Sequence, residues 1–330
     1  MDYRQLPKIE LHLHLDCSLS FEVVQQIDPS ITIEEYQSSF IAPPKCPDLV
    51  DYLTRAVKGF ELMQTPEQLR LVTLDVIEQL KNDNVIYAEI RFAPILHLTK
   101  GLTPLEVVQS VNDAVTEGIK NTGVEIRLLL CTLRHFTEEQ SMETVRLAEK
   151  FKGKNVVGFD IAGDEAGFPV DNHIKAFRFA HENKICCTAH AGEAKGADSV
   201  WETLEQLHPY RIGHGTRSIE DKKLIEFLKK KKIHLEICPT SNIQTNVFDK
   251  IEDHPAGKIY NAGVSMSINT DGRTVTPVTL TSEYELLNRI FSWQKDHFFK
   301  CNMEAIEHAF IDELIKKKLK EKLIKGYQLH

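Results

Sequence analysis

Residues 85–92 read VIYAEIRF and residues 124–131 read VEIRLLLC, with an amphipathic run from Thr103 to Lys120 between them. Two short apolar segments separated by helix-period sequence read as a strand, a crossover helix and a second, parallel strand. The beat continues along the chain. The helical run Thr137–Phe151 leads to a strand at Val156–Ile161, and Asn172–Asn183 leads to Ile185–Ala189. Ala197–Leu207 gives way to Arg211–Gly213, Ile219–Lys230 to Ile233–Ile237, and a last strand at Val264–Ile268 precedes a helical C-terminal third. Upstream, Ile9, Leu11, Leu13 and Leu15 alternate with Glu10, His12, His14 and Asp16, which marks a first strand with its polar residues on one face. Eight strands, almost all separated by helices, predict an α/β chain folded as a (β/α)8 TIM barrel, with extra helices between the first and second strands and at the C-terminus. An open doubly wound sheet is the competing architecture. It needs a glycine-rich phosphate-binding turn after its first strand, where HLDCSLS stands instead.

Between the first two strands, Ser18 or Ser20 is placed to cap a short helix reaching Gln26, and the proline-containing stretch Ala42–Pro47 breaks the pattern. Helical spacing resumes at Asp48–Met63 and Pro66–Leu80. No linker, repeat or low-complexity segment divides residues 1–330, a length that one barrel domain accommodates. Hydrophobic residues at 42% suffice for a large core, and 40 Lys+Arg against 48 Asp+Glu leave a net charge of −8. Without a basic excess, neither nucleic acid nor an anionic membrane is expected as a partner. The cysteines at 17, 46, 131, 186, 187, 238 and 301 are odd in number and form no C-x-x-C pair, so they read as reduced thiols. MDYRQLPKIELHLHL lacks the basic and apolar segments of a leader, and no apolar run approaches the roughly 18 residues that span a bilayer. A cytoplasmic protein is expected.

Barrel chemistry sits at the C-terminal ends of the strands. Those ends carry His12 and His14, then Asp160-Ile-Ala-Gly-Asp-Glu165, Thr188-Ala-His190-Ala-Gly-Glu193, Arg211-Ile-Gly-His214-Gly215 and Ile268-Asn-Thr-Asp271-Gly272. Any one of them fits a capping or turn residue, and HLH alone fits a solvated edge strand. Together, His12, His14, His190 and Asp271 offer three nitrogens and one oxygen, a donor set suited to Zn2+ with a position left for water. Glu193 and His214 remain beside it as an acid and a base. A helix starting after the fifth strand would aim Glu193 the same way as His190, three residues earlier, and Gly213 and Gly215 give His214 room for close backbone approach. The remaining histidines, His330 among them, read mostly as surface or loop residues, with His135 set apart because it too follows a strand.

ELHLHLD, AGDE, HAGE, GHG and NTD, in this order and at these separations, resemble the adenosine deaminases of the metal-dependent amidohydrolase superfamily. The resemblance runs from about residue 7 to about residue 290, and YAEIRFAP and CTLRH extend it. The zinc deaminases with H-x-E and P-C-x-x-C ligands have no counterpart here. What the resemblance implies is one Zn2+ held by His12, His14, His190 and Asp271, and a purine nucleoside as substrate. It also implies that Glu193 protonates the ring at N1, that His214 handles the proton of the attacking water, and that the Gly163 backbone meets N3. Asp16 would hold the ribose 5′-hydroxyl and His14 would border the substrate; residues 48–80 sit where the family builds a lid, and Phe60, Leu62 and Met63 fit either its apolar wall or plain helix core, so no site role is assigned to them. The expected reaction is hydrolytic deamination of adenosine to inosine and ammonia.

Two positions depart from the family pattern. The usual second aspartate, a contact for the purine N7, is Gly272, and the usual glycine after HLD is Cys17. Losing a carboxylate that hydrogen-bonds the base costs roughly 1–3 kcal/mol unless something replaces it. Water, Arg273 and Thr274 are the neighbouring candidates. The alternative is a different substrate: a modified adenosine, an adenine base or a 5′-modified nucleoside.

Overall fold

The computed structural model describes residues 2–328, so His330 lies outside the described residues. Eight parallel strands follow one another around a barrel in sequence order: β1 (Lys8–His14), β2 (Val85–Phe92), β3 (Glu125–Leu133), β4 (Val156–Ala162), β5 (Cys186–Ala191), β6 (Arg211–His214), β7 (His234–Ile237) and β8 (Met266–Ile268). Their apolar runs are buried because helices cover the outer face. No helix among the described residues is long and apolar enough to cross a membrane.

The barrel closes between β8 and β1 through the NTD segment. Asn269 Oδ1 accepts the Leu11 N–H at 2.8 Å, and the Thr270 N–H and hydroxyl donate to Glu10 Oε1, both at 2.7 Å. The Asp271 N–H donates to His12 O at 3.0 Å and its carbonyl accepts the His14 N–H at 2.8 Å. The motif is therefore also the seam of the sheet.

Local signals placed most boundaries. Ser20, rather than Ser18, caps the helix Phe21–Ile27, and Asp48, Thr65, Thr103 and Thr137 cap the helices that follow them. Three helices carry no apolar stripe in sequence. Ile33–Ser39 buries only Tyr36, Pro239–Gln244 is buried largely through polar side chains, and Ala256–Ala262 is a single short element.

The polar face read for β1 divides in the structure. Glu10 pairs with Ala88 and Leu13 with Ile90, so three steps on β1 oppose two on β2. This bulge puts Glu10 out of phase with the histidines, since side chains alternate along a strand. Glu10 bonds Thr270 and Arg273 away from the two imidazoles, and Asp16 lies in the turn Leu15–Cys17 beyond the strand. Inside the barrel, Glu89, Arg91, Asp160, Arg211 and Glu236 are fully buried and paired: Arg91 bridges Asp160 (2.7 Å) and Glu236 (2.8 Å), and Arg211 bridges Glu236 (2.6 Å) and Glu89 (2.5 Å). Four histidines read as surface or loop residues, His97, His173, His234 and His254, are buried instead; the last three bond at both ring nitrogens, whereas His97 bonds only through Nδ1, to Met63 O.

Candidate active site

At the C-terminal mouth of the barrel the side chains of His12, His14, His190, His214 and Asp271 converge. Asp271 Oδ1 lies 3.2 Å from His12 Nε2 and 3.5 Å from His14 Nε2, and His14 Nε2 is 3.1 Å from His190 Nε2. His12 Nε2 is buried without a hydrogen-bond partner, an arrangement that is costly unless something else occupies that nitrogen. Behind the cluster, Glu236 Oε2 meets His12 Nδ1 at 2.8 Å and Asp160 meets His190 Nδ1 at 3.3 Å. A carboxylate on the far nitrogen fixes each ring with Nε2 facing inward, as ligating histidines require. Against the burial that would raise it, the guanidinium groups of Arg91 and Arg211 hold the Glu236 carboxyl well below the ordinary carboxylate range. Burial pushes His14 and His190 below the usual imidazole range, leaving them neutral. The donor set fits a divalent metal ion. His12, His190, His214 and Asp271 have candidate ligand atoms within 4.8 Å of one another, and His14 Nε2 lies 3.5 Å from Asp271 Oδ1. The ions that fit are the borderline ones that take nitrogen and carboxylate together.

His214 ends β6 with φ +58° and Asp271 follows β8 with φ +68°, both left-handed conformations in which non-glycine residues are strained. Gly213 leaves the space the rings need: a Cβ there would stand 2.8 Å from His12 Cε1 and 3.2 Å from two ring atoms of His190. Ser241 donates to Asp271 Oδ2 at 2.6 Å.

Glu193 is not placed by a helix continuing from β5, since the next helix begins only at Ala197. A buried carboxylate places it. Glu165 Oε2 accepts the backbone N–H groups of Glu193 (3.0 Å), Ala194 (2.6 Å) and Lys195 (3.0 Å), and Oε1 accepts from Gly192 N–H (2.7 Å) and Ser199 Oγ (2.6 Å). The acidic end of AGDE is thus the anchor of HAGE. Glu193 Oε2 sits 3.5 Å from His214 Nε2, and Oε1 is buried with no partner. Burial, then the negative charges of Asp271 and Glu165, raise the Glu193 carboxyl well above its ordinary range, so it holds a proton. Burial and the neighbouring imidazoles push His214 well below its ordinary value, so it is neutral.

A cavity of about 390 Å³ opens beside this cluster, and His14, Asp16, Gly163, His190, Glu193, His214 and Asp271 are all in its wall. One side is apolar: the helix Leu49–Glu61 contributes Leu49, Leu53, Ala56 and Phe60. Only this helix of the 48–80 stretch borders the cavity. Met63 is core, Leu62 packs against the core, and Pro66–Asn82 buries Leu69, Val72, Val76 and Leu80. His135 and Cys17 also line the wall.

A family model described as Adenosine deaminase matches residues 7–326. The chain belongs to the adenosine deaminase family. It is 37% identical to an adenosine deaminase of Enterococcus faecalis over 98% of each chain, and 35% identical to one of Clostridium acetobutylicum over 96% of this chain and 97% of that one. The N6-methyl-AMP deaminase of Arabidopsis thaliana superposes with a TM-score of 0.87 at 26% identity, covering 99% of both chains. Gly272 stands where the family pattern has its second aspartate. It is absent from the cavity wall and packs on Cys17, where a Cβ would stand 2.8 Å from the Cys17 carbonyl oxygen and 3.0 Å from Cys17 Cβ. Neither neighbour replaces the missing carboxylate. Arg273 is buried in pairs with Glu10 (2.8 Å) and Asp83 (3.0 Å), and the Thr274 hydroxyl is bonded to Leu19 O.

Proposed function

We propose that this deaminase-family hydrolase converts adenosine to inosine and ammonia with Zn2+ held by His12, His14, His190 and Asp271. The observation that carries the reading is the Glu193 carboxyl, buried, proton-retaining and unpartnered at Oε1, beside an inward-facing set of ring nitrogens. When bound, the ion supplies the acidity that ionises water near neutral pH. Glu193 gives its proton to the purine N1 and so cancels the charge that builds there as oxygen adds to C6. His214 at the end of β6 and Asp271 just beyond β8 border the same cavity and govern the attacking oxygen. Gly163, with φ +94° after β4, offers its backbone to N3. The Leu49–Glu61 helix walls the base away from water.

Asp16 supports a nucleoside rather than a nucleotide. Its carboxyl is pushed up to about 6, by burial first and then, against its own backbone hydrogen bond, by the charge of Asp271, which suits it to bond a hydroxyl. The cavity wall includes Asp16 and Asp164 but no lysine or arginine among the described residues, so a 5′-phosphate would meet carboxylates without a countercharge. The thiols of all seven cysteines are unpaired, in keeping with a reducing, cytoplasmic compartment. The test is a panel of adenosine, AMP, adenine and N6-methyladenosine on zinc-loaded protein, read as ammonia release. Adenosine is the expected best substrate, and a preference for AMP would overturn the nucleoside reading.

A further inference from the structure

His214 is tied to a hydrogen-bond chain that leads out of the site. Its Nδ1 lies 3.1 Å from Asn242 Nδ2, Asn242 Oδ1 lies 3.2 Å from His254 Nε2, and the Ala256 backbone N–H meets His254 Nδ1 at 3.1 Å. A backbone amide only donates, so His254 Nδ1 is the bare nitrogen and a neutral His254 carries its proton on Nε2. That N–H needs an acceptor, which makes the Asn242 atom facing it the carbonyl oxygen and turns the amide N–H toward His214. With the opposite amide orientation two donors would face each other, so the direction follows from the network and not from a choice of amide flip. His214 Nδ1 is then an acceptor, and a neutral His214 carries its proton on Nε2, the nitrogen that faces Glu193. Asn242 and His254 are buried and lie outside the cavity wall, so their hydrogen bonds are made within the chain. Burial lowers His254 to about 3, which keeps it neutral throughout the working pH range.

We infer that Asn242 and His254 are positioning residues that fix His214 as a hydrogen-bond donor through Nε2, so that His214 aims the attacking oxygen and does not take its proton. A second proton on His214 would have to sit on Nδ1, against the Asn242 amide N–H. The inference rests on the deaminase reading for its role in catalysis. The direction of the chain stands on its own.

The test is two-bond proton–nitrogen correlation on zinc-loaded protein labelled with 15N-histidine, His214 being assigned by its loss in H214Q. A bare Nδ1 and a protonated Nε2 are expected. A protonated Nδ1, alone or together with Nε2, overturns the inference. The N242D variant puts an acceptor opposite Nδ1 and should move the proton there, with kcat reduced about 10²–10⁴-fold and KM little changed. As pH falls and the introduced carboxyl gains a proton, activity should partly return, which mere loss of packing would not give. H254Q, which keeps a donor for Asn242 Oδ1, should retain the wild-type nitrogen pattern, whereas H254L should lose it. An unaltered His214 pattern in N242D also overturns the inference. Protein that gave the expected pattern without releasing ammonia from adenosine would refute the proposed function and leave the hydrogen-bond direction standing.

Discussion

Replacing Glu165 by glutamine changes one atom on a residue that touches neither the cavity nor the metal cluster, yet it should disable the enzyme. Glu165 Oε2 serves three backbone N–H groups, and Oε1 serves a fourth and the Ser199 hydroxyl. A glutamine has one acceptor oxygen. Its better orientation keeps that oxygen on the Glu193–Lys195 amides and turns its N–H toward Gly192 N–H, leaving at least one buried donor unpaired. Hydrogen bonds to a charged group are worth about 1.5–3 kcal/mol each against about 0.5–1.5 for neutral ones, and an orphaned buried donor costs about 1–3 more. With local relaxation the loss should be about 3–5 kcal/mol, or roughly 4–7 °C in Tm for a chain of this size. The turn that loosens is the one carrying Glu193, and misplacing a catalytic group by about 1 Å costs on the order of 10² in rate. Thermal unfolding, bound zinc and ammonia release would be measured on E165Q. The expected result is a lower Tm, an intact zinc content because Glu236 and Asp160 still hold the ligands, and kcat down about 10²-fold. Because the Glu165 charge helps keep Glu193 protonated, the alkaline fall in activity should also move to lower pH. Wild-type kcat in a folded, zinc-loaded E165Q would refute the reasoning.

Other consequences follow from the same contacts. E193Q should abolish ammonia release while binding zinc like the wild type, since Glu193 lies outside the donor set; metal analysis beside the assay checks both halves. G272D should not restore a base contact but should destabilise the chain by about 1–3 kcal/mol, because its Cβ would meet both the Cys17 carbonyl oxygen and Cys17 Cβ, and C17G, which removes the second contact, should relieve part of that loss; unfolding of the two single variants and the double variant reads the coupling. His97, His173 and His254 are lowered by burial to about 4, 4 and 3 from 6.5, so the unfolded chain binds protons that the folded chain refuses. Stability should therefore be full above about pH 6.5 and fall as pH drops toward 4, by on the order of 2 kcal/mol per histidine at about pH 5, measurable as denaturation midpoints across that range.

The barrel was legible because each strand is a short apolar run set off by helix-period sequence, and caps such as Thr103 and Thr137 add local signals. The residues that meet at the mouth were legible because polar side chains interrupt those runs at their ends, as His190 and His214 do. What sequence could not reveal is what depends on pairing across the fold. The bulge that separates Glu10 from His12 is a register shift against β2. The interior bridges of Arg91 and Arg211 join residues that look like isolated charges in their own strands. Glu165, quoted within AGDE as a strand end, owes its function to four amides about thirty residues away. The helix Pro239–Gln244 lacked an apolar stripe because Ser241 and Asn242 face the site, bonding Asp271 and His214. A Ser-Asn pair following a buried strand was the available signal. That Cys17 and Gly272 are neighbours is likewise a contact across the fold, with Cys17 filling the space a side chain at 272 would enter.

The central claim is that the clustered histidines and Asp271 hold a metal ion that works with Glu193 on a 6-aminopurine nucleoside. The most direct measurement is ammonia released from adenosine by protein stripped with a chelator and then reloaded with zinc to a measured stoichiometry. The account predicts no release from the stripped protein, and recovery that rises with zinc to one ion per chain. Zinc-loaded, folded protein that turns over no 6-aminopurine nucleoside would contradict it.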